Sequence, residues 1–347
     1  MTRRSLPPCR PGYSDHVFAS VHGVELPLRV WPPLKRKGAG RVPWLLWIHG
    51  GGYTAGKWTA PTAWVTRIFG DRGYAIASVG YRQQPQASMP DMLGDCLAAA
   101  AWCRAHLPDL VGADPDAWVV GGSSGGASLA CLVAHAPMFE VPQYAISSHH
   151  PLPPPRVLIN VYGAPNAADD YHHNPYRKVV VEDYYVADEP ELSDMLADRN
   201  PANAITQSPW AYEIPPAVSL TECRAALGVP TFTPSRQHFA RNDLWSYVAK
   251  YRLLMPTVFR RESFPSQREY WRHVMGYSAY HLLDKAEGYP ATFIMHGTAD
   301  RDTPEDEGWE WIEEMLDFVD QHIGLQQLNA SVNGSPKTAN ISMRYTR

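Results

Sequence analysis

A serine inside a glycine-rich pentapeptide is the strongest chemical signal in the sequence. Residues 122–126 read Gly-Ser-Ser-Gly-Gly and fit the pattern G-x-S-x-G, in which the middle serine is Ser124. An apolar run, 117–120, precedes the pentapeptide, and a segment rich in helix-forming residues, 127–135, follows it. A serine on a sharp strand-to-helix turn exposes its hydroxyl beside the N–H groups of a helix N-terminus. We therefore predict that Ser124 is a nucleophile; the alternative is a glycine-rich turn with an incidental serine.

A second glycine-rich segment follows an earlier apolar run. The run ends at His49, and three glycines come next. In enzymes with a serine on a strand-to-helix turn, such a loop supplies a second N–H group to the oxyanion. We predict an oxyanion hole formed by the backbone N–H groups of Gly50, Gly51 and Gly125, with His49 ordering the loop and moving no proton. The alternatives are a flexible linker and a phosphate-binding loop, but neither common phosphate-loop pattern is present.

A carboxylate after a late apolar run is the candidate catalytic acid. Asp300 follows the run 291–295, and the chain order serine, acid, histidine requires an acid in this position. Residues 303–306, Thr-Pro-Glu-Asp, are typical of a helix start. We therefore place Asp300 on a strand-to-helix loop. Asp302 is the competing carboxylate, and a solvated loop acid is the alternative for both.

The histidine that should activate the serine is not evident from the sequence. After Asp300 there is one histidine, His322, near the end of a predicted helix and next to Gly324. A protonated histidine is stabilised at a helix end by the helix dipole, so we prefer that interpretation to catalysis. The histidine pairs at 149–150 and 172–173 could act as bases or metal ligands, but we interpret them as solvated polar residues. A serine without a base is a poor nucleophile.

Short apolar runs alternate with helix-length segments along much of the chain. This alternation is typical of a mostly parallel sheet with helices on both faces, and the predicted fold class is α/β. The apolar runs predict buried strands at 44–48, 74–79, 117–120, 156–162 and 291–295. Helix-like spacing of Ala, Leu and Trp predicts a helix over 89–106.

The chain divides into a core, an insertion and a tail. Residues 165–288 are rich in Tyr, Trp, Pro and His and are too long for a plain crossover. We predict a core from 1–164 and 289–323, and a cap, 165–288, over the carboxyl edge of the sheet. The alternative is a decoration remote from the site. Residues 324–347 are mostly polar and predict a disordered tail that leaves the sheet incomplete, as a truncated or wrongly spliced reading frame would.

Composition excludes several classes of partner. The 347 residues carry a net charge of −4, so we expect neither nucleic acid nor an anionic membrane surface as a partner. No apolar run is long enough to span a bilayer. No zinc spacing or cofactor motif is present, so we predict neither a metal nor a cofactor. A small neutral substrate fits this balance better.

Proline and cysteine usage predicts the compartment. Prolines at 7, 8 and 11 interrupt the segment in which a signal peptide needs an apolar run. The five cysteines are odd in number and widely spread, and we interpret them as buried free thiols in a reducing compartment. We therefore predict a cytoplasmic protein.

Several motifs occur in the order found in the hormone-sensitive-lipase-like branch of the α/β-hydrolase fold, and the resemblance runs from about Pro43 to about Trp311. Residues 49–53 resemble its HGGG oxyanion loop, 79–82 its V-D-Y-R segment, and 122–126 its G-D-S-A-G nucleophile elbow. Glycine at 80 and serine at 123 stand where the family usually has aspartate. The resemblance implies a carboxylesterase that acts on short or medium acyl esters.

These observations predict a serine hydrolase that cleaves a carboxylic ester, or a related acyl bond, of a small molecule through an acyl-enzyme on Ser124. One alternative is a catalytically weak or inactive protein that keeps a binding pocket. Another is a peptidase of the prolyl-oligopeptidase type, which residues 296–300 also suit, although no propeller-sized domain is present. The sequence specifies neither the acyl and alcohol parts of the ester nor an oligomeric state.

Overall fold

The computed structural model describes residues 10–36, 38, 40–141, 144, 152–173, 189–208, 236–286, 288–297, 315–323 and 341–346. The strands are β1 Ser14–Val21, β2 Val24–Trp31, β3 Val42–Ile48, β4 Ala75–Val79, β5 Ala113–Ser123, β6 Val157–Val161, β7 Ala291–Gly297 and β8 Ile341–Thr346. Within the described residues they form one sheet in the order β1-β2-β4-β3-β5-β6-β7-β8. β1 and β2 are antiparallel to their neighbours, and β3 to β8 are parallel. The predicted α/β class, with a mostly parallel sheet, is confirmed.

Helices connect the parallel strands and make up most of the described residues between β6 and β7. The helices are α1 Ala63–Arg72, α2 Met89–Val111, α3 Gly125–Val133, α4 Asp170–His173, α5 Glu189–Ala197, α6 Arg236–Lys250, α7 Leu254–Val258, α8 Gln267–Gly276, α9 Ala279–Leu282 and α10, described over 315–323. Short 3-10 turns occupy Ala136–Met138, Pro201–Asn203, Arg261–Ser263 and Leu283–Lys285. None of the helices described combines the length and the apolar character needed to cross a membrane.

The central strand β3 is buried on both faces of the sheet. Leu46 and Ile48 pack with residues of α2 and α3 on one face. Leu45 and Trp47 pack with residues of α1 and α10 on the other. Because successive strand residues point to opposite faces, a strand covered by helices on both sides is a continuous apolar run. This is why the run at 44–48 was recognisable in the sequence.

The C-terminal strand corrects the prediction for the tail. The prediction that residues 324–347 are disordered and leave the sheet incomplete is wrong for β8, which pairs in parallel with β7 from Ile341 opposite Thr292 to Thr346 opposite Gly297. Its sequence, Ile-Ser-Met-Arg-Tyr-Thr, alternates apolar and polar residues with the period of a strand. An average over a mostly polar segment hides such a short alternating run.

Candidate active site

Ser124 lies on the turn that joins β5 to α3. Its backbone dihedral angles are φ 53° and ψ −127°, a conformation that non-glycine residues rarely adopt and that is held only by surrounding structure. Its N–H group donates a hydrogen bond to the carbonyl oxygen of Val161 at 2.9 Å, and its own carbonyl accepts from Ala127 at 2.9 Å. The turn is therefore tied to β6 on one side and to α3 on the other.

Two glycines allow the chain to pack this tightly around the turn. A Cβ atom at Gly122 would lie 2.5 Å from the carbonyl oxygen of Gly126. A Cβ atom at Gly126 would lie 2.2 Å from the carbonyl oxygen of Ile48, the last residue of β3. Both distances are shorter than side-chain carbons tolerate, so only glycine fits at these positions. The pattern G-x-S-x-G thus reflects the close approach of β5, α3 and the end of β3.

The glycine loop after β3, residues 49–56, lies directly against this turn. A Cβ atom at Gly50 would lie 2.7 Å from the carbonyl oxygen of Ser123 and 3.2 Å from the Cβ of Ser124. Gly51 has a φ of 111°, and a Cβ there would meet the loop's own backbone. The ring of Tyr53 covers Gly125, whose Cβ position lies 3.1 Å from it. The structure therefore brings together all three glycines predicted to form the oxyanion hole.

His49 is built into the base of the same loop. Its imidazole is buried and stacks on Tyr81, with ring centroids 4.5 Å apart. Its Nδ1 lies 2.8 Å from the carbonyl oxygen of Gly50, and because a carbonyl only accepts, Nδ1 carries the proton. Burial lowers the pKa of His49 to about 4, with the Gly50 carbonyl acting in the opposite direction. His49 is therefore a neutral ring at pH 7.

The segment that follows β4 supports the loop from outside. The hydroxyl of Tyr81 donates to the carbonyl oxygen of His49 at 3.0 Å. The backbone N–H of Gln84 donates to the carbonyl oxygen of Tyr53 at 2.8 Å, and its side-chain amide donates to that of Gly52 at 3.1 Å. Gln84 itself belongs to no motif that is recognisable in the sequence. The neighbouring residues Tyr-Arg after β4 do belong to the family motif, and this motif could have drawn attention to the segment that contains Gln84.

A buried ion pair anchors this supporting segment to α2. The guanidinium of Arg82 contacts Asp95 at 2.7 Å, and the backbone N–H of Arg82 donates to the same carboxylate at 2.9 Å. Both side chains are almost fully buried. The hydroxyl of Tyr144 donates a further hydrogen bond to Asp95. Burial raises the pKa of Asp95, and its hydrogen bonds to Arg82 and Tyr144 oppose this change.

The structure explains one departure from the family motif. Gly80 stands where the resembling segment has aspartate, and a Cβ atom at Gly80 would lie 2.6 Å from the ring of Trp58. Its N–H donates to the carbonyl oxygen of Pro27 at 2.8 Å, so β2 approaches the backbone here. Because Trp58 fills the space, an aspartate does not fit at this position.

Asp300 and its competitor Asp302 lie outside the described residues. The strand that precedes them, β7, ends at Gly297. The N–H of Tyr162, just past β6, donates to the carbonyl oxygen of Met295 at 2.7 Å. The described end of β7 is thus at the same sheet edge as Ser124, since β5, β6 and β7 are parallel.

His322 lies at the opposite edge of the sheet. Its Nδ1–H donates to the carbonyl oxygen of Phe318 at 2.7 Å, within α10. At the end of this helix, the carbonyl oxygen of Ile323 accepts a hydrogen bond from the guanidinium of Arg156 at 3.2 Å. The backbone N–H of Arg156 donates to the carbonyl oxygen of Trp118 on β5. Trp118 is six strand residues before Ser124, or about 20 Å away along β5. The interpretation of His322 as a helix-end residue therefore agrees with its position, and the distance rules out proton transfer with Ser124.

One histidine pair falls within the described residues, and one member corrects its interpretation. His173 is buried, not solvated: its Nε2–H donates to the carbonyl oxygen of Ala167 at 2.7 Å. Its Nδ1 faces the hydroxyl of Tyr270 at 3.3 Å, and Trp271 packs on the ring. The aromatic residues of α8 enclose it, which residue type alone does not reveal. The pair at 149–150 lies outside the described residues.

Comparisons with known proteins agree with this architecture. Lipase 2 of Moraxella sp. strain TA144 is 33% identical over 126 residues, 35% of this chain and 29% of the lipase. Carboxylic ester hydrolase LipN of Mycobacterium tuberculosis is 33% identical over 135 residues, 38% of this chain and 35% of that protein. The chain thus matches about a third of the length of these curated relatives.

A solved structure and a family profile extend the comparison. The esterase Est2 of Thermogutta terrifontis superposes with a TM-score of 0.50 at 17% identity, covering 97% of this chain and 81% of the esterase, which supports the fold. The profile described as alpha/beta hydrolase fold matches residues 45–227, more than half of the chain. The family predicted from the motifs is confirmed. This chain belongs to the α/β-hydrolase fold family.

Proposed function

We propose that this protein hydrolyses carboxylic esters of small molecules through an acyl-enzyme on Ser124. The observation that carries the proposal is the contact between the strained Ser124 turn and the glycine loop at Gly50. A nucleophile and backbone donors then meet at one point, as acyl transfer requires. Relatives that carry the names lipase, carboxylic ester hydrolase and ethyl acetate hydrolase support an ester as the substrate.

The proposed chemistry has two steps. The Oγ atom of Ser124 attacks the ester carbonyl carbon, the alcohol leaves, and water then hydrolyses the acyl-enzyme. The oxyanion of each step is bound by the N–H groups of Gly50, Gly51 and Gly125. The turn and loop hydrogen bonds of the described residues include none donated by these three N–H groups, which leaves them available to a substrate. The N-terminus of α3 adds a partial positive charge.

Asp300 is the proposed acid of the triad. It follows β7, whose described end lies at the same edge of the sheet as Ser124. We assign the cap to residues 165–288, because α6 from this segment reaches the glycine loop, residues 49–56, which is the proposed oxyanion loop. A Cβ atom added at Gly52 would lie 2.3 Å from the indole of Trp245, so the indole packs directly on this glycine. A cap in this position covers the ester and excludes water from it.

A second candidate function is a weak or inactive hydrolase that keeps the pocket for binding. His322 at the far edge of the sheet favours it, because this histidine cannot serve Ser124. Within the described part of the chain, no histidine hydrogen-bonds to the Ser124 hydroxyl. A serine without a base reacts slowly, so the two functions differ in rate and not in the identity of the reactive residue.

Labelling by a fluorophosphonate probe tests the proposed nucleophile. We expect covalent labelling of the purified chain, with the modified peptide carrying the probe on Ser124. Ser124→Ala should abolish the labelling, whereas the matched variant Ser123→Ala, one residue earlier on the same turn, should retain it. Labelling that persists in Ser124→Ala would overturn the assignment. Labelling without ester turnover would favour the binding function.

The compartment we propose is the cytosol. Cys96, Cys103 and Cys131 are free and buried, as predicted for all five cysteines; Cys9 and Cys223 lie outside the described residues. Burial raises the pKa of the Cys131 thiol to about 12. Thiols of this kind are inert and suit a reducing environment. Fractionation of cells that express the chain should recover it with cytosolic markers, and recovery in the medium or in membranes would contradict the proposal.

A further inference from the structure

A buried arginine on α6 faces the segment that supports the oxyanion loop. The side chain of Arg241 is fully buried. Its Nη1 donates to the carbonyl oxygen of Gln84, and its Nη2 donates to the Oε1 of Gln86 at 2.8 Å. Gln86 in turn donates to Asp198 at 3.0 Å, so an amide links the arginine to this carboxylate. Burial lowers the pKa of Arg241 to about 10, and the side chain remains cationic at neutral pH.

Gln84 connects this arginine to the loop. While its carbonyl accepts from Arg241, its backbone N–H and side-chain amide both donate into the loop. The amide nitrogen contacts the carbonyl oxygen of Gly52 at 3.1 Å and the hydroxyl of Thr54 at 2.8 Å. One residue thus holds three groups of the loop on one side and one cation of the cap on the other.

A second side chain of α6 reaches the loop directly. Trp245 is one helical turn after Arg241, so the two side chains leave the same face of the helix. The indole of Trp245 fills the space beside Gly52, whose φ of 55° also favours glycine. The helix therefore contacts the loop at Gly52 through Trp245 and supports it through Arg241 and Gln84.

We propose that Arg241 is a positioning residue that holds the oxyanion loop in its binding conformation through Gln84, an arrangement we term the loop clamp. The inference rests on the proposed function, since it assigns the loop's geometry to a residue of the cap. The guanidinium fork bonds to two acceptors at once, which an ammonium group cannot reproduce. When the clamp is lost, the N–H groups of Gly50 and Gly51 are displaced from the oxyanion.

Hydrogen exchange of the loop tests the clamp independently of activity. The N–H groups of Thr54 and Ala55 both donate to the carbonyl oxygen of Gly51, at 3.0 and 2.9 Å. In Arg241→Gln we expect these two amides to exchange about threefold faster or more, because the loop opens more often. Lys250→Gln removes the same charge from an exposed position on the same helix and should leave their exchange unchanged. Equal exchange in Arg241→Gln and the wild type would overturn the proposal.

Kinetics then separate positioning from general stability. We expect Arg241→Gln to lower kcat on an aryl ester by about 10- to 100-fold with KM within about twofold, because oxyanion contacts strengthen in the transition state. Arg241→Lys should restore kcat only in part. Gln84→Ala should lower kcat similarly. The double variant should lose no more kcat than either single variant, because both substitutions break the same connection between α6 and the loop. Multiplicative losses, or a KM effect alone, would contradict the clamp.

Failure of the clamp and failure of the proposed function give different results. A wild-type chain that neither turns over aryl esters nor labels at Ser124 refutes the proposed function, and the exchange of Thr54 and Ala55 still decides whether Arg241 holds the loop. A wild-type chain that turns over esters, with Arg241→Gln unchanged in both exchange and kcat, refutes the clamp alone.

Discussion

Gly50 and Ser124 approach so closely that a side-chain carbon at position 50 would lie 3.2 Å from the Cβ of Ser124. Two chain segments far apart in sequence therefore meet at the proposed binding point of the ester carbonyl. The end of β3 delivers the loop, and the end of the adjacent strand β5 delivers the serine. Parallel neighbours end at the same edge, so this meeting follows from the sheet topology.

Gly50→Ala should disable the oxyanion loop with little loss of the fold. A methyl group there would lie 2.7 Å from the carbonyl oxygen of Ser123, so the loop must move away from the serine turn. We expect kcat on an aryl ester to fall about 100-fold, the scale of losing one oxyanion donor. Gly276→Ala is the matched control, because no atom lies within 4 Å of its Cβ position. Unchanged kcat in Gly50→Ala would show that this loop does not bind the oxyanion.

Protonation of His49 should destabilise the fold in mild acid. Its pKa is about 4 in the folded chain, below the ordinary value of 6.5, so the unfolded state binds more protons between these values. The stability due to neutral His49 is thus present above pH 6.5 and is lost as the pH falls toward 4. The loss is on the order of 3 kcal/mol, since each pH unit is worth about 1.4 kcal/mol.

Denaturant unfolding at pH 7, 5.5 and 4.5 measures this effect. His49→Gln should show a weaker decline of the unfolding free energy with falling pH than the wild type. His106→Gln, at an exposed position, should decline as the wild type does. The same decline in both variants would mean that His49 is not the titrating group.

Asp95→Asn should cost far more stability than the loss of a surface ion pair. The change leaves the guanidinium of Arg82 without its buried counter-charge, since its other carboxylate partner, Asp91, is partly exposed and 3.9 Å away, and this costs about 3–5 kcal/mol. Asp116→Asn removes the exposed pair with Arg104, where the contact is also 2.7 Å. That change should cost at most about 1 kcal/mol. Urea unfolding distinguishes them, and equal losses would contradict the role of burial.

Trp245→Ala should alter the preference for acyl chain length. The indole packs on Gly52 of the oxyanion loop, so its removal enlarges the space beside the bound ester. We expect the ratio of kcat/KM for octanoyl and butyryl esters to rise by about tenfold, with a small change in Tm. Tyr251→Ala, at an exposed aromatic residue after α6, is the control. An unchanged ratio in Trp245→Ala would make the cap peripheral to the substrate site.

The parts of the site that are local in sequence could be predicted. The serine turn and the glycine loop each combine a buried strand with a motif that occupies a few residues, so Ser124 and Gly50 were identifiable without coordinates. Gly122 and Gly126 meet because their strand and helix are consecutive. In each case one short segment contains both the recognisable motif and the close backbone contact that requires its glycines.

The parts that depend on distant contacts could not be predicted. Arg241 meets Gln84 across 157 residues, and neither belongs to a recognisable motif. The buried state of His173 depends on α8, which is not adjacent in sequence. β1 and β2 pair around a turn at His22 and Gly23, both with positive φ. β1 is exposed or half-buried throughout, and in the more buried β2 Pro27 and Arg29 interrupt the apolar residues, so neither strand has the apolar run that identified the other buried strands. β8 was missed because its apolar residues alternate with polar ones and form no continuous run.

Steady-state hydrolysis of a short-chain aryl ester by this chain, compared with Ser124→Ala at pH 7.5, is the measurement that tests the central claim most directly. We expect measurable turnover in the wild type and a loss of several orders of magnitude in the variant, because the acyl-enzyme cannot form. The variant should unfold at the wild-type temperature to within a few degrees. Wild-type turnover that survives in Ser124→Ala would contradict the assignment of Ser124 as the nucleophile.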